Sequence, residues 1–162
     1  MSAEEKKRLI KLLAKAHIAT RATLDEVDLE MPVFTDSGWR IRDIIGHIAT
    51  WDQETAKSLR AYQEGSEYSI PDLDEEETEY NERAVVEQKK LSTQQILAEW
   101  EQAHGELKKA VQEIPEDQFP GDMLYPWGDE RGSIATLVEY MIEHAVEHQD
   151  EIIKALQESG KG

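Results

Sequence analysis

Five histidines are the residues best equipped to do chemistry: His17, His47, His104, His144 and His148. His144 and His148 stand four apart, a spacing that puts both imidazoles on one face of a helix, about 5–6 Å apart at Cβ. Two rings so placed reach one ion at Zn–N distances of about 2.0–2.1 Å. His47 belongs to a different amphipathic stretch, three residues after Ile44 and four before Trp51, and so shares their inward face. Three neutral imidazoles with a remaining open position would hold one divalent metal ion. Histidines at helical spacing also occur as plain polar positions, and a lone inward histidine is often a satisfied core residue. Spacing alone leaves both readings open.

Other candidate chemistry is thinner. Glu101 and His104 have the Glu-x-x-His spacing of di-iron carboxylate bundles, but such a centre needs two of these motifs and this chain has one. His104 and His17 therefore read as surface histidines. Glu54 and Glu147 are candidate bases, weighed against ordinary charges on exposed helix faces. Trp51 and Trp100 fall on core seams, whereas Trp127 and Tyr125 sit in a loop suited to a pocket wall or lid. There is no cysteine, which excludes thiolate metal sites, disulfides and cysteine nucleophiles. Gly128 to Gly132 lacks the Lys-Ser/Thr and the preceding strand of a phosphate loop. No serine sits in a strand-to-helix elbow.

The elements that must position the histidines are helices. Strand signals are nearly absent. The first helix is expected from Ser2 or Ala3, with Ser2 and Glu5 as a capping box, to about Asp28. Its apolar face is Leu9, Leu13, Ala16, Thr20, Leu24 and Val27. The second starts near Trp39 or Arg40 and stops at Gln63 or Glu64, before Gly65. Residues 66–91 form a long connection with a turn at Ser69 to Asp72 and an extra helix from Asp74 to about Lys90. Ser92 with Gln95, and Leu91 with Ile96, mark the start of the third helix, and Pro115 ends it. A second connection covers residues 115–132. Ser133 caps the fourth helix, which runs to about Glu158.

Four long amphipathic helices imply an all-α four-helix bundle. A helix of about 25 residues is roughly 37 Å long, and the 66–91 connection is long enough to return that distance. The second and third bundle helices are therefore expected to run parallel, giving up-down-down-up order in one domain spanning residues 1–162.

Two segments carry a family resemblance. The stretch Gly38-Trp39-Arg40-Ile41-Arg42-Asp43-Ile44-Ile45-Gly46-His47-Ile48-Ala49-Thr50-Trp51-Asp52 resembles the second-helix motif of the DinB-like superfamily. Glu143-His144-Ala145-Val146-Glu147-His148-Gln149-Asp150-Glu151-Ile152 resembles its fourth-helix motif, with two histidines four apart. Glu79 to Arg83, Leu91-Ser92 and Ile114-Pro115 are similar to the branch that contains the colibactin self-resistance protein. The resemblance spans nearly the whole chain and implies the same up-down-down-up bundle. It also implies a divalent ion, zinc, nickel or similar, on His47, His144 and His148. One departure is Arg40, where relatives carry a Ser or Thr cap.

The function implied by that resemblance is a thiol-dependent S-transferase or related detoxification enzyme acting on a small electrophile. Two alternatives stand beside it. One is a metal-free small-molecule-binding self-resistance protein, as in the colibactin branch. The other is a non-catalytic helical interaction module, a homodimer with structural histidines. The expected partner is a small-molecule substrate or thiol. A net charge of −17 would repel nucleic acid and anionic lipid, so neither is an expected partner. No apolar run approaches the ~20 residues of a membrane span and no signal-peptide pattern opens the chain, so the expected location is cytoplasmic.

Overall fold

The computed structural model describes residues 2–71 and 77–160. Four long helices make the bundle: α1 (Ser2–Thr23), α2 (Ile41–Gln63), α4 (Thr93–Glu113) and α5 (Ile134–Gly160). A shorter helix, α3 (Glu77–Gln88), lies in the crossover between α2 and α4. The expected crossover start at Asp74 lies outside the described residues, as does the side chain of Ser2 with its proposed capping box.

Helix order follows from which ends meet. Arg42, at the start of α2, donates to the Leu91 carbonyl just before α4, and Gln63, at the end of α2, donates to the Glu113 carbonyl at the end of α4. Those two helices are parallel. Lys6, early in α1, donates to the carbonyls of Gln112 and Ile114 at the far end of α4, so α1 opposes α4. His47 meets His144, and Thr55 meets Met141, so α5 opposes α2. The bundle is up-down-down-up, as the crossover length required.

Local sequence explains most boundaries. Ser92 Oγ accepts from the Gln95 amide at 3.1 Å while the Gln95 side chain accepts from the Ser92 amide at 2.8 Å, the reciprocal capping box expected at α4. Ser133 Oγ accepts from the Thr136 amide at 3.1 Å and caps α5. At α2 the missing Ser or Thr is offset from inside the helix: the Asp43 carboxylate accepts from the Arg40 amide at 2.9 Å, and helix geometry begins at Ile41.

Two expectations need correction. α1 stops at Thr23, not Asp28, because Glu26 takes a positive φ of 58° that no helix continues through. The second connection, expected without strands, carries an antiparallel pair, β1 (Asp122–Leu124) and β2 (Arg131–Ser133), that turns through Gly128 at φ 88°. These strands are three residues each, too short for alternation to register in the sequence.

The core forms two apolar clusters. One gathers Leu9, Leu13, Leu59, Leu107, Val111, Ile134, Leu137 and Met141, and the other Ile41, Ile44, Ile45, Ile48, Ile96, Trp100 and Ile152. His17 and Asp52 border a small space shared by the two clusters, beside Leu13 and Met141 of one and Ile48 and Trp100 of the other.

Candidate metal centre

α2 and α5 face one another with their histidines at the same level. His47 is 7% exposed, and its ring meets those of His144 and His148 edge-on, with centroids 4.9 and 4.8 Å away. The Nε2 atoms converge. His144 Nε2 lies 3.1 Å from His47 Nε2 and 3.0 Å from His148 Nε2. Among the described residues this is the one group of three such donors within 4.8 Å of one another. An ion held tetrahedrally at Zn–N distances of about 2.0–2.1 Å needs nitrogens about 3.3 Å apart, close to these two separations.

The protonation states suit ligation. Burial first, and then the neighbouring imidazoles, push His47 down to about 2 and His144 down to about 3. Both rings are neutral at neutral pH. His148 Nδ1 faces Glu151 Oε1 at 2.5 Å, so the Nδ1 proton points at a carboxylate and Nε2 keeps its lone pair. Nitrogens 3.0–3.1 Å apart need a proton or a cation between them. The donor set fits a borderline divalent ion.

A cavity of about 340 Å³ opens above the nitrogens, lined by Trp51, Asn81, Trp127, Tyr140 and Met141 besides the three histidines. Asn81 comes from the crossover helix, and its Oδ1 accepts from Trp51 Nε1 at 2.8 Å. The crossover is held close by Gln88, whose amide donates to the Gly46 carbonyl at 2.9 Å and to Thr50 Oγ1 at 3.1 Å. A Cβ at residue 46 would stand 2.5 Å from Gln88 Oε1, so glycine beside His47 allows this approach.

The family model for the mycothiol maleylpyruvate isomerase N-terminal domain matches residues 10–150. The chain belongs to that family. The DinB-like resemblance is thereby borne out, and the solved neighbours of this family member share its bundle. YfiT from Bacillus subtilis, described as "a probable metal-dependent hydrolase with an unusual four-helix bundle topology", superposes with a TM-score of 0.76 at 19% identity, over 99% of this chain and 90% of its own. An uncharacterised protein from Escherichia coli UTI89 gives 0.76 at 13% identity, over 96% of this chain and 94% of its own. The mycothiol-dependent maleylpyruvate isomerase gives 0.73 at 16% identity, over 91% of this chain but only 60% of its own. At such identities these likenesses concern the fold. No curated protein matches.

Within this family member, other expectations meet the structure unevenly. Trp127 lines the cavity, as expected; Trp51 belongs to the apolar core, as expected, and also borders the cavity. Tyr125 is fully buried beneath Trp127 and donates to the Ser133 carbonyl at 2.7 Å. Neither proposed base faces the cavity. Glu54 accepts from Tyr68 Oη at 2.5 Å and pairs with Lys57 at 3.0 Å, while Glu147 is exposed. His17 is not on the surface: it is 6% exposed.

Sequence reasoning missed Glu151, Tyr140, Met141 and Asn81. Three of them carried a signal, since Glu151 is three residues past His148 and Tyr140 and Met141 stand four and three before His144. Asn81 lies in the Glu79 to Arg83 segment that carries the family resemblance, but nothing in that segment placed it at the histidines, because its place depends on how the crossover lies.

Proposed function

We propose that this family member is a metal-dependent enzyme acting on a small molecule. His47, His144 and His148 would hold one divalent ion, and a low-molecular-weight thiol or water would be the group it makes reactive. The reading rests on the convergence of three Nε2 atoms at the floor of an aromatic cavity. An ion there would supply Lewis acidity and lower the pKa of a bound thiol or water.

The chain's own groups do the rest. Glu151 fixes the His148 tautomer by holding its Nδ1 proton. Burial keeps His47 and His144 neutral, so their lone pairs are available at physiological pH. Trp51 and Trp127 keep solvent from one side of the cavity, and Asn81 is held in the wall by its bond to Trp51.

Transfer of the thiol to a small electrophile is the finer form of this reading, consistent with the thiol-dependent isomerase among the neighbours and with detoxification chemistry. A metal-free binder of a reactive small molecule is the second reading, favoured by the tryptophans and tyrosine in the cavity wall.

Elemental analysis of untagged wild type and His144→Ala, with a panel of thiols and electrophiles, tests the proposal. Stoichiometric metal lost in the variant, together with thiol-dependent turnover, supports the enzyme. Substoichiometric metal with turnover unchanged by the substitution overturns it.

A further inference from the structure

We propose that Asn81 is a specificity-determining residue of the cavity, its side-chain amide donating a hydrogen bond to an oxygen acceptor on the ligand. The inference rests on the proposed function only in taking this cavity as the place where the small molecule binds.

The fold holds the Asn81 amide in one orientation. Asn81 stands four residues before Val85 and seven before Gln88 on α3, so the three share a helix face. Val85 is buried and Gln88 bonds Gly46 and Thr50, so that face is the one laid on α2. An indole N–H can only donate. The Asn81 atom 2.8 Å from Trp51 Nε1 is therefore the amide oxygen, because a flipped amide would set donor against donor. The ring of Tyr80, the preceding residue, meets the Trp51 ring edge-on at 5.6 Å and adds a second hold on the same tryptophan. With Oδ1 committed, Asn81 is left to present Nδ2 and its two N–H groups. Nδ2 has no hydrogen-bond partner among the described residues and is reachable by solvent.

The other side-chain donors around the cavity are engaged. Trp51 Nε1 is taken by Asn81, and Trp127 Nε1 by Glu130 Oε1 at 2.9 Å. The histidine Nε2 atoms face one another, and His148 Nδ1 faces Glu151. The Tyr140 hydroxyl remains, but a hydroxyl accepts as readily as it donates and sets no preference by itself. Among the described side chains of the wall, the Asn81 Nδ2 is the free polar atom that only donates. A ligand oxygen placed against it satisfies the amide. A ligand with a methylene there strips the amide of water and leaves it unpaired, which is how a hydrogen-bonding site rejects an apolar isostere.

The test pairs acetophenone with α-methylstyrene, which differ only by a carbonyl oxygen in place of a methylene. Binding to the full chain is measured by calorimetry on chelator-stripped and on zinc-loaded protein, because an ion on the imidazoles would itself attract the ketone oxygen. Asn81→Asp keeps an acceptor for Trp51 and removes the donor, and Asn81→Leu removes both at similar size. Each should cut the ketone-to-alkene affinity ratio about fivefold, with α-methylstyrene affinity within about twofold of wild type and circular dichroism unchanged. In nitrogen-15-labelled stripped protein, the Asn81 side-chain amide resonance, assigned by its loss in the variants, should shift with acetophenone and stay in place with α-methylstyrene. An asparagine that only anchors Trp51 would not respond in that way. A ratio indifferent to Asn81→Asp, an amide resonance that ignores the ketone, or neither probe binding at millimolar concentration overturns the inference. An Asn81-dependent ratio in protein that takes up no stoichiometric metal sinks the metal reading alone. Stoichiometric metal that is lost in His144→Ala, with a ratio that Asn81 does not affect, sinks this inference alone.

Discussion

The bundle holds two groups of histidines, and they differ in what their nitrogens face. His47, His144 and His148 aim their Nε2 atoms at a common point beneath an open cavity. His17 and His104 instead lie flat against each other, with centroids 3.8 Å apart and planes 6° from parallel. His17 Nε2 is taken up by Glu101, which also binds Arg21 at 2.8 Å, and the His17 ring packs 4.1 Å from Trp100. The space beside them is about 10 Å³, room for one water at most, and Asp52 borders it. Edge-on rings over a cavity can take a ligand, whereas stacked rings with an engaged nitrogen hold helices together. The shared residue type conceals two different jobs.

The comparison breaks most sharply on metal. His144→Ala should lower divalent-metal affinity by more than about a hundredfold and leave the His17 region untouched, as read by calorimetry. His104→Ala should leave metal stoichiometry unchanged. If instead His104→Ala stripped the metal, the division between the groups would fall.

Glu151→Gln comes next. It keeps the side chain's length but removes the charge facing His148 Nδ1, so metal affinity should drop about ten- to hundredfold. Far-ultraviolet dichroism should stay at the wild-type level.

His17→Ala should cost about 1–3 kcal/mol in urea unfolding, with metal binding retained. It removes the stack on His104 and the Trp100 contact, and it leaves Glu101 to Arg21 alone.

Asp52→Asn sharpens the contrast through pH. Burial raises the Asp52 carboxyl from its ordinary 3.8 to about 8. The folded state keeps the proton where the unfolded chain has released it. Stability is therefore full below about pH 4 and declines as pH rises from 4 to 8. The asparagine variant lacks this titration, so its unfolding free energy should vary less between pH 5 and pH 8, by about 3–4 kcal/mol. An unchanged pH profile would mean that Asp52 is charged and paired in the folded protein.

Gly46→Ala should have the smallest effect. The added methyl displaces Gln88 from Gly46 and Thr50, while alanine gains about 1 kcal/mol in helix propensity. The two nearly offset in stability. Cavity ligands should bind more weakly, because α3 carries Asn81.

Much of this was legible in the residues. The apolar stripes of α1 and α4, the Ser92–Gln95 box and the stop at Pro115 follow from neighbours three or four apart, and such local rules survive folding. The end of α1 was not legible, because it turns on one backbone angle at Glu26. Trp51 read as core from its seam spacing and is core, but that the same seam borders the cavity was not legible. His17 and His104 read as surface because nothing local announces Glu101, more than eighty residues from His17 in the chain and 2.8 Å from Arg21.

By itself, the sequence determined that His144 and His148 share a helix face, that His47 points inward, and that a long crossover allows parallel neighbours. Tertiary structure decided that α2 and α5 set those three nitrogens at one level, that α3 brings Asn81 over them, and that His17 and His104 close against each other. Helical spacing is fixed by hydrogen bonds four residues apart. The register between helices is fixed by packing and connections that span the whole chain.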